Sequence, residues 1–389
     1  MIRIGGRCPL SKVTRRDMVK ALAAGGAAVS AGCFQITDTH QSGGGMVSRK
    51  PVVLSRDSLP TTGPWPVSDP FLFCVHHNDQ FPAADGRLGP KDTLAGRTLG
   101  SDFSNRDGWS MYHGDRVPGF PRHPHRGFET VTIVEQGIVD HADSLGAAAR
   151  YGQGDVQWLT AGHGINHAEM MPLFNTQDRN PLDLYQIWLN LPAKSKMVEP
   201  RFAMYWAGQI PVVRLRSKAG RETRIKVIAG RLDTQSALAP PPHSYAAKND
   251  SEIAIWDIRM EAKSEWVLPA SREGTCRSLY VVSGPSLTLD DVAYQSRFRY
   301  GLEPTQTAVL KADKGPVRCL LLQGRPIGEP VAQHGPFVMN TRAEIQQAIR
   351  DYQRTQFGGW PWTTNGPIHG TEPTRFARHA DGTLEHPPG

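Results

Sequence analysis

Two short pairs, His123-Pro124-His125 and His167-Ala168-Glu169, constrain this chain more than anything else in it. Each places two metal-ligand side chains at i and i+2, a spacing that on an extended strand puts both on one face. Two such strands lying side by side would aim three imidazoles and one carboxylate at a single point. That donor set suits a borderline first-row metal and not an alkaline-earth ion. One H-x-H triplet alone is weak evidence, since 14 His in 389 residues give about 0.5 such triplets by chance. Their distribution is stronger evidence. His76, His77, His113, His123, His125, His141, His163 and His167 crowd into positions 76–167, whereas only His243 lies between 168 and 333. A metal site therefore belongs to the first half of the chain.

The remaining sequence reads as short strands. The 39 Gly and 31 Pro interrupt it every few residues, which favours many strands joined by turns over long helices. Phe71-Leu72-Phe73-Cys74-Val75 is a buried-strand run, with His76 and His77 at its end or lining a pocket mouth. Thr130-Val131-Thr132-Ile133-Val134 is β-branched throughout. Gly154-Asp155 makes a turn into Val156-Gln157-Trp158-Leu159, and Gly162-His163-Gly164 makes a sharp turn before His167. Tyr185 to Leu191 alternates apolar and polar residues and closes the first sheet. This predicts an antiparallel barrel over residues 70–199 with the ligands pointing inward.

After Pro200 the same texture repeats without histidines, at 225–228, 253–256, 279–282, 308–310 and 319–322. A second barrel, without metal, is expected over 200–330. Thr341 and Glu344 form a capping box for a helix over 341–356, with Ile345, Ala348, Ile349 and Tyr352 on one face. The tail beyond Gly358, with Trp360-Pro361-Trp362, reads as irregular structure wrapped on the surface. The fold class is thus all-β, two barrels with a short C-terminal helix in the segment 331–389.

The N-terminal segment reads as an address. Arg15-Arg16 precedes a weakly apolar run, Ala21 to Gly32, too short to span a bilayer, which needs about 20 apolar residues. It resembles a twin-arginine export signal. Ser30-Ala31-Gly32-Cys33 looks like a lipoprotein cleavage box with Cys33 lipidated, although Ser30 stands where Leu is usual. A periplasmic location, or a lipid anchor on the extracytoplasmic side, follows from this reading of residues 1–33. Residues 34–69, with Gly43-Gly44-Gly45 and four prolines, read as a flexible linker, and regular structure is expected from about Pro70. Residues 1–33 also carry five of the seven excess positive charges, so no basic footprint for nucleic acid remains in the folded part. Outside that segment only Cys74, Cys276 and Cys319 occur, without C-x-x-C spacing, which excludes zinc-ribbon and thioredoxin chemistry.

A family resemblance now has residues to rest on. His123-Pro124-His125-Arg126-Gly127-Phe128-Glu129-Thr130, Gly154-Asp155-Val156-Gln157-Trp158, Ala161-Gly162-His163-Gly164-Ile165 with His167-Ala168-Glu169-Met170, Lys196-Met197-Val198-Glu199-Pro200 and Gln333-His334-Gly335-Pro336-Phe337-Val338-Met339-Asn340 resemble the pirin family of two-barrel cupins. The resemblance implies two jelly-roll cupin domains. The first would hold one metal, usually Fe(II), through His123, His125, His167 and Glu169, and the second would be degenerate. Mn, Ni, Cu or Zn could replace iron. Loading before folded export would protect a weaker-binding metal from capture of copper or zinc outside the cytoplasm.

Two departures matter. His163 stands where the family often has Arg, and H-x-H-x-x-x-E, the ligand pattern of cupins in general, would make Glu129 the carboxylate in place of Glu169. A closed structural zinc site is the plainer reading of four N/O ligands. The resemblance implies quercetinase activity, a metal-dependent 2,3-dioxygenation of flavonol-type substrates by O2. Glu169 would then both ligate the metal and relay a proton. The rival implication is a non-catalytic, iron-binding regulatory protein, a role that export would rule out.

Overall fold

The computed structural model describes residues 51–388. The export reading of residues 1–33, including Arg15, Arg16 and Cys33, and the Gly-rich part of the linker lie outside them. Regular structure begins earlier than Pro70. Strand β1 (Val53–Ser58) pairs antiparallel with the distant strand Phe298–Leu302. Its sequence, VLSRDS, has no apolar alternation, so only a long-range partner marks it as a strand.

The first barrel uses β2 (Phe71–Phe81), β3 (Gly119–His125), β4 (Phe128–Gln136), β5 (Ile138–Asp143), β6 (Ala148–Gly152), β7 (Asp155–Thr160), β8 (Ile165–Met170), β9 (Asn180–Asn190) and β10 (Arg201–Tyr205). They form two antiparallel sheets, β10-β7-β4-β9-β2 and a second whose inner order is β6-β5-β8-β3. The second barrel pairs a seven-stranded sheet, with β1 at one edge and Val212–Arg216 at the other, with a four-stranded sheet. Both barrels are antiparallel throughout, the two-cupin architecture expected for the class.

The sheet of β2, β4, β7 and β9 is covered on both sides. Val131, Ile133, Trp158, Tyr185, Ile187 and Leu189 pack against Ile228, Ile255, Tyr280, Leu320 and Leu322 of the second barrel in one apolar core. Their neighbours at odd spacing point the other way, into the first barrel. Burial of both faces is why β4 reads as a continuous β-branched run without alternation. Cys74 is a free thiol in this core, and Cys319 is one in the separate core inside the second barrel.

The expected helix forms at Arg342–Thr355 with the Thr341/Glu344 capping box. It is clamped to the first barrel: the buried Arg126 reaches Asp351 at 2.9 Å and lies over the Phe357 ring. Lys196 donates to Gly127 O at 2.8 Å, Asn190 Oδ1 at 2.6 Å and Val338 O at 3.3 Å, which ties this segment to the barrel from inside.

The tail is not irregular to its end. Phe376–Arg378 adds to β6 and Leu384–Glu385 adds to Phe376–Arg378, extending the sheet of β3 and β8 by two strands. Arg375 holds Asp155 through both carboxylate oxygens at 2.9 Å. As with β1, these short pieces carry no apolar period, and the edge they complete makes them strands.

Candidate metal centre

Strands β3 and β8 lie side by side, with His123 directly opposite His167. The i, i+2 spacing in each strand does what the sequence predicts, and the three imidazoles converge. Their ligand nitrogens lie within 4.8 Å of one another. The ring centroids are 4.8 Å (His123 to His125), 4.3 Å (His123 to His167) and 4.8 Å (His125 to His167) apart. β3 is the edge of its sheet, the position that tolerates Pro124 within a strand.

Glu169 borders this cluster. One carboxylate oxygen lies 3.9 Å from His167 Nε2 and accepts from Gln186 Nε2 at 2.7 Å, and the other accepts from Thr132 Oγ1 at 3.2 Å. Burial raises its carboxyl above the usual range, against the pull of His141, Gln186 and Thr132. Burial also keeps the imidazoles neutral. It pushes His123 down to about 4, and His125 and His167 well below the usual value.

The donor set fits a transition-metal ion. His123 Nδ1 donates to Pro121 O at 2.9 Å, which fixes the tautomer and leaves Nε2 with its lone pair toward the cluster. Among the described residues, His125 Nδ1 and both ring nitrogens of His167 are buried without a hydrogen-bond partner. Unpartnered buried nitrogens on two neutral imidazoles, facing a third at one point, are costly unless a cation takes their lone pairs.

Glu129 lies elsewhere. It sits on the opposite face of β4 from Thr130 and Thr132, toward the second barrel, where four groups donate to it. Trp158 Nε1 (3.2 Å) and Thr160 Oγ1 (2.8 Å) take one oxygen, and Ser244 Oγ (2.7 Å) and the Tyr245 amide (3.3 Å) take the other. The carboxylate pins the sheet and the barrel interface, with neither oxygen left for a metal.

The other singled-out histidines find separate places. His163 stays in its exposed turn, 3.0 Å from Glu199, and His334 is exposed in a short hairpin. β2 runs on to Phe81, so His76 and His77 are mid-strand and face opposite ways. His76 stacks on Tyr185 and meets Asp183 at 2.9 Å at the barrel interface.

Sequence reasoning missed Gln186, Thr132 and His141. His141 donates to Asp143 at 3.2 Å, stacks on Phe202 and lies 5.7 Å from the His167 ring. A usable signal existed for Gln186, a polar residue in a strand whose apolar neighbours face a second core. The wall beyond the ligands is aromatic. Trp188 packs on Phe128 and Phe73, 5.4 Å from the His125 ring.

The pirin family's sequence model matches residues 69–189, and that of the pirin C-terminal cupin domain matches residues 255–358. A Pseudomonas aeruginosa protein provisionally named a quercetin 2,3-dioxygenase is 38% identical over 239 residues, 61% of this chain and 79% of the relative. Human pirin is 36% identical over 257 residues, 64% of this chain and 80% of its own length. A crystal structure of quercetin 2,3-dioxygenase from Acinetobacter baumannii superposes with a TM-score of 0.61 at 27% identity, covering 79% of this chain and 98% of that one.

Proposed function

The chain belongs to the pirin family, and on that premise we propose that it is a metal-dependent dioxygenase of flavonol-type substrates, holding Fe(II) at His123, His125, His167 and Glu169. The observation that carries this reading is the convergence of three neutral imidazoles, two of which, His125 and His167, are buried with unpartnered ring nitrogens. The names of the relatives support the reaction class. A bound Fe(II), or Mn, Ni, Cu or Zn in its place, supplies Lewis acidity toward a vicinal hydroxyl and keto pair and, where redox-active, electron exchange with O2.

The protein's own share is positioning and proton control. Glu169 would face the metal with the carboxylate oxygen nearest the cluster and take the substrate hydroxyl proton on the other, which accepts only from Thr132. Gln186 and Thr132 hold that carboxylate in one orientation. Phe73, Phe128 and Trp188 offer a dry face for a planar ring.

The test is oxygen uptake on adding quercetin to Fe(II)-loaded protein, with metal content measured in parallel. Uptake in the wild type that disappears in His125→Ala supports the reading. Bound metal without uptake for any flavonol under several metals leaves the regulatory, metal-binding alternative. We further propose that the protein is exported by the twin-arginine route. Unchanged cell fractionation of the Arg15→Lys, Arg16→Lys double variant refutes that.

A further inference from the structure

A second polar chain lies on the same face of the sheet as Gln186. Val75 is directly opposite Gln186, whose side chain reaches Glu169, so Val75 and, two residues on, His77 share the face turned into the first barrel. His77 is held from behind. Asp79 accepts from the Ser110 amide at 2.9 Å and from Tyr112 Oη at 2.6 Å, and Tyr112 Oη lies 2.9 Å from His77 Nδ1. With Asp79 ionised, the Tyr112 hydroxyl spends its one proton on that carboxylate and so accepts from His77 Nδ1–H. The remaining nitrogen, Nε2, then carries only a lone pair, and it has no partner among the described residues. Burial pushes His77 down to about 3, so the ring is neutral at working pH.

An aromatic path runs past this nitrogen. Phe103, which is 40% exposed, packs on Tyr112 (5.6 Å) and His113 (5.1 Å). Phe120 stacks on Tyr112 at 5.1 Å, lies 5.7 Å from the His77 ring and continues to His123 at 6.4 Å. The path joins the outer surface to the metal centre through ring faces and edges. The loop carrying it is fixed by Asp102, which accepts from Arg97 and the Met111 amide at 2.9 Å each.

We propose that His77 is a specificity-determining residue: its Nε2 accepts a hydrogen bond from a ring hydroxyl of a planar phenolic ligand lying along Phe120, and Tyr112 and Asp79 position it. This rests on the flavonol reading of the site and adds to it that a hydroxyl remote from the metal end is selected. A keto or ether oxygen at that place meets a lone pair and is rejected, while a phenol supplies the missing proton.

The test is anaerobic binding to metal-loaded protein at pH 8, followed by tryptophan quenching, of quercetin and of 3-hydroxyflavone. The latter keeps the 3-hydroxyl and 4-keto pair and lacks every other hydroxyl. Burial pushes Asp79 up to about 7, so pH 8 keeps it ionised. Wild type should bind quercetin at least about tenfold tighter, equivalent to about 1.4 kcal/mol. His77→Phe should keep 3-hydroxyflavone binding and lose the preference. Tyr112→Phe, which frees the imidazole tautomer without emptying the site, should lose part of it and decides the matter if His77→Phe fails to fold. A preference that is absent in wild type, or that survives unchanged in the folded variants, overturns the role of His77 alone. Failure of wild type to bind either flavonol overturns the flavonol reading and this inference together.

Discussion

Glu129→Gln sets two opposing effects against each other at one buried carboxyl. Four donors favour the charged form, while complete burial favours the neutral one and pushes the group from 4.5 up to about 7. The folded protein then keeps a proton, between those two values, that the unfolded chain releases. A raised carboxyl contributes stability fully below pH 4.5 and loses it as pH rises through 7. The interval from 4.5 to about 7, at about 1.4 kcal/mol per pH unit, amounts to about 3 kcal/mol. Glutamine does not titrate, so the stability difference between wild type and variant should shrink by that amount from pH 4.5 to 7.5. Urea unfolding of both proteins across the range measures it, and the subtraction removes every other titrating group. A flat difference would mean that the donors win and the carboxylate stays charged. Metal content is the second readout and should not change, because both oxygens are committed to Trp158, Thr160, Ser244 and Tyr245. Folded variant without metal would transfer the ligand role from Glu169 to Glu129.

Glu169→Gln keeps the bonds' geometry but removes the charge. Loss of an outer-shell partner alone typically costs 10–100-fold in metal affinity, so this variant should lose at least about 100-fold in a chelator competition; an unchanged affinity would leave the three histidines as the whole site. Gly164 has φ +138°, and a Cβ there would lie 2.6 Å from the Phe357 ring. Gly164→Ala should cost about 3 kcal/mol from backbone strain and overpacking, a fall of roughly 4 °C in Tm for a chain of this length. A Tm within 2 °C or so of wild type would show that the Phe357 clamp gives way freely.

Local pattern reached far in this protein. The i, i+2 spacing of His123, His125 and His167 specified a face, and two antiparallel strands turned it into a cluster. The Thr341/Glu344 capping box marked the helix start. Both succeed because a side chain's direction on a strand, or an amide's partner at a helix end, depends on residues within one turn of chain. Short strands without apolar period, Val53–Ser58 and Phe376–Arg378, escaped for the opposite reason, since each is a strand only through an edge supplied from elsewhere.

The division falls within a single strand pair. Sequence determined that Glu129 and Thr132 lie on opposite faces of β4, and that Gln186 alternates with Tyr185 and Ile187. Only the tertiary structure decided which face meets the histidine cluster, because the second barrel covers the apolar side and leaves Thr132 and Gln186 to hold Glu169. Strand parity is local, but a sheet buried on both faces has no intrinsic inside until another layer packs against it.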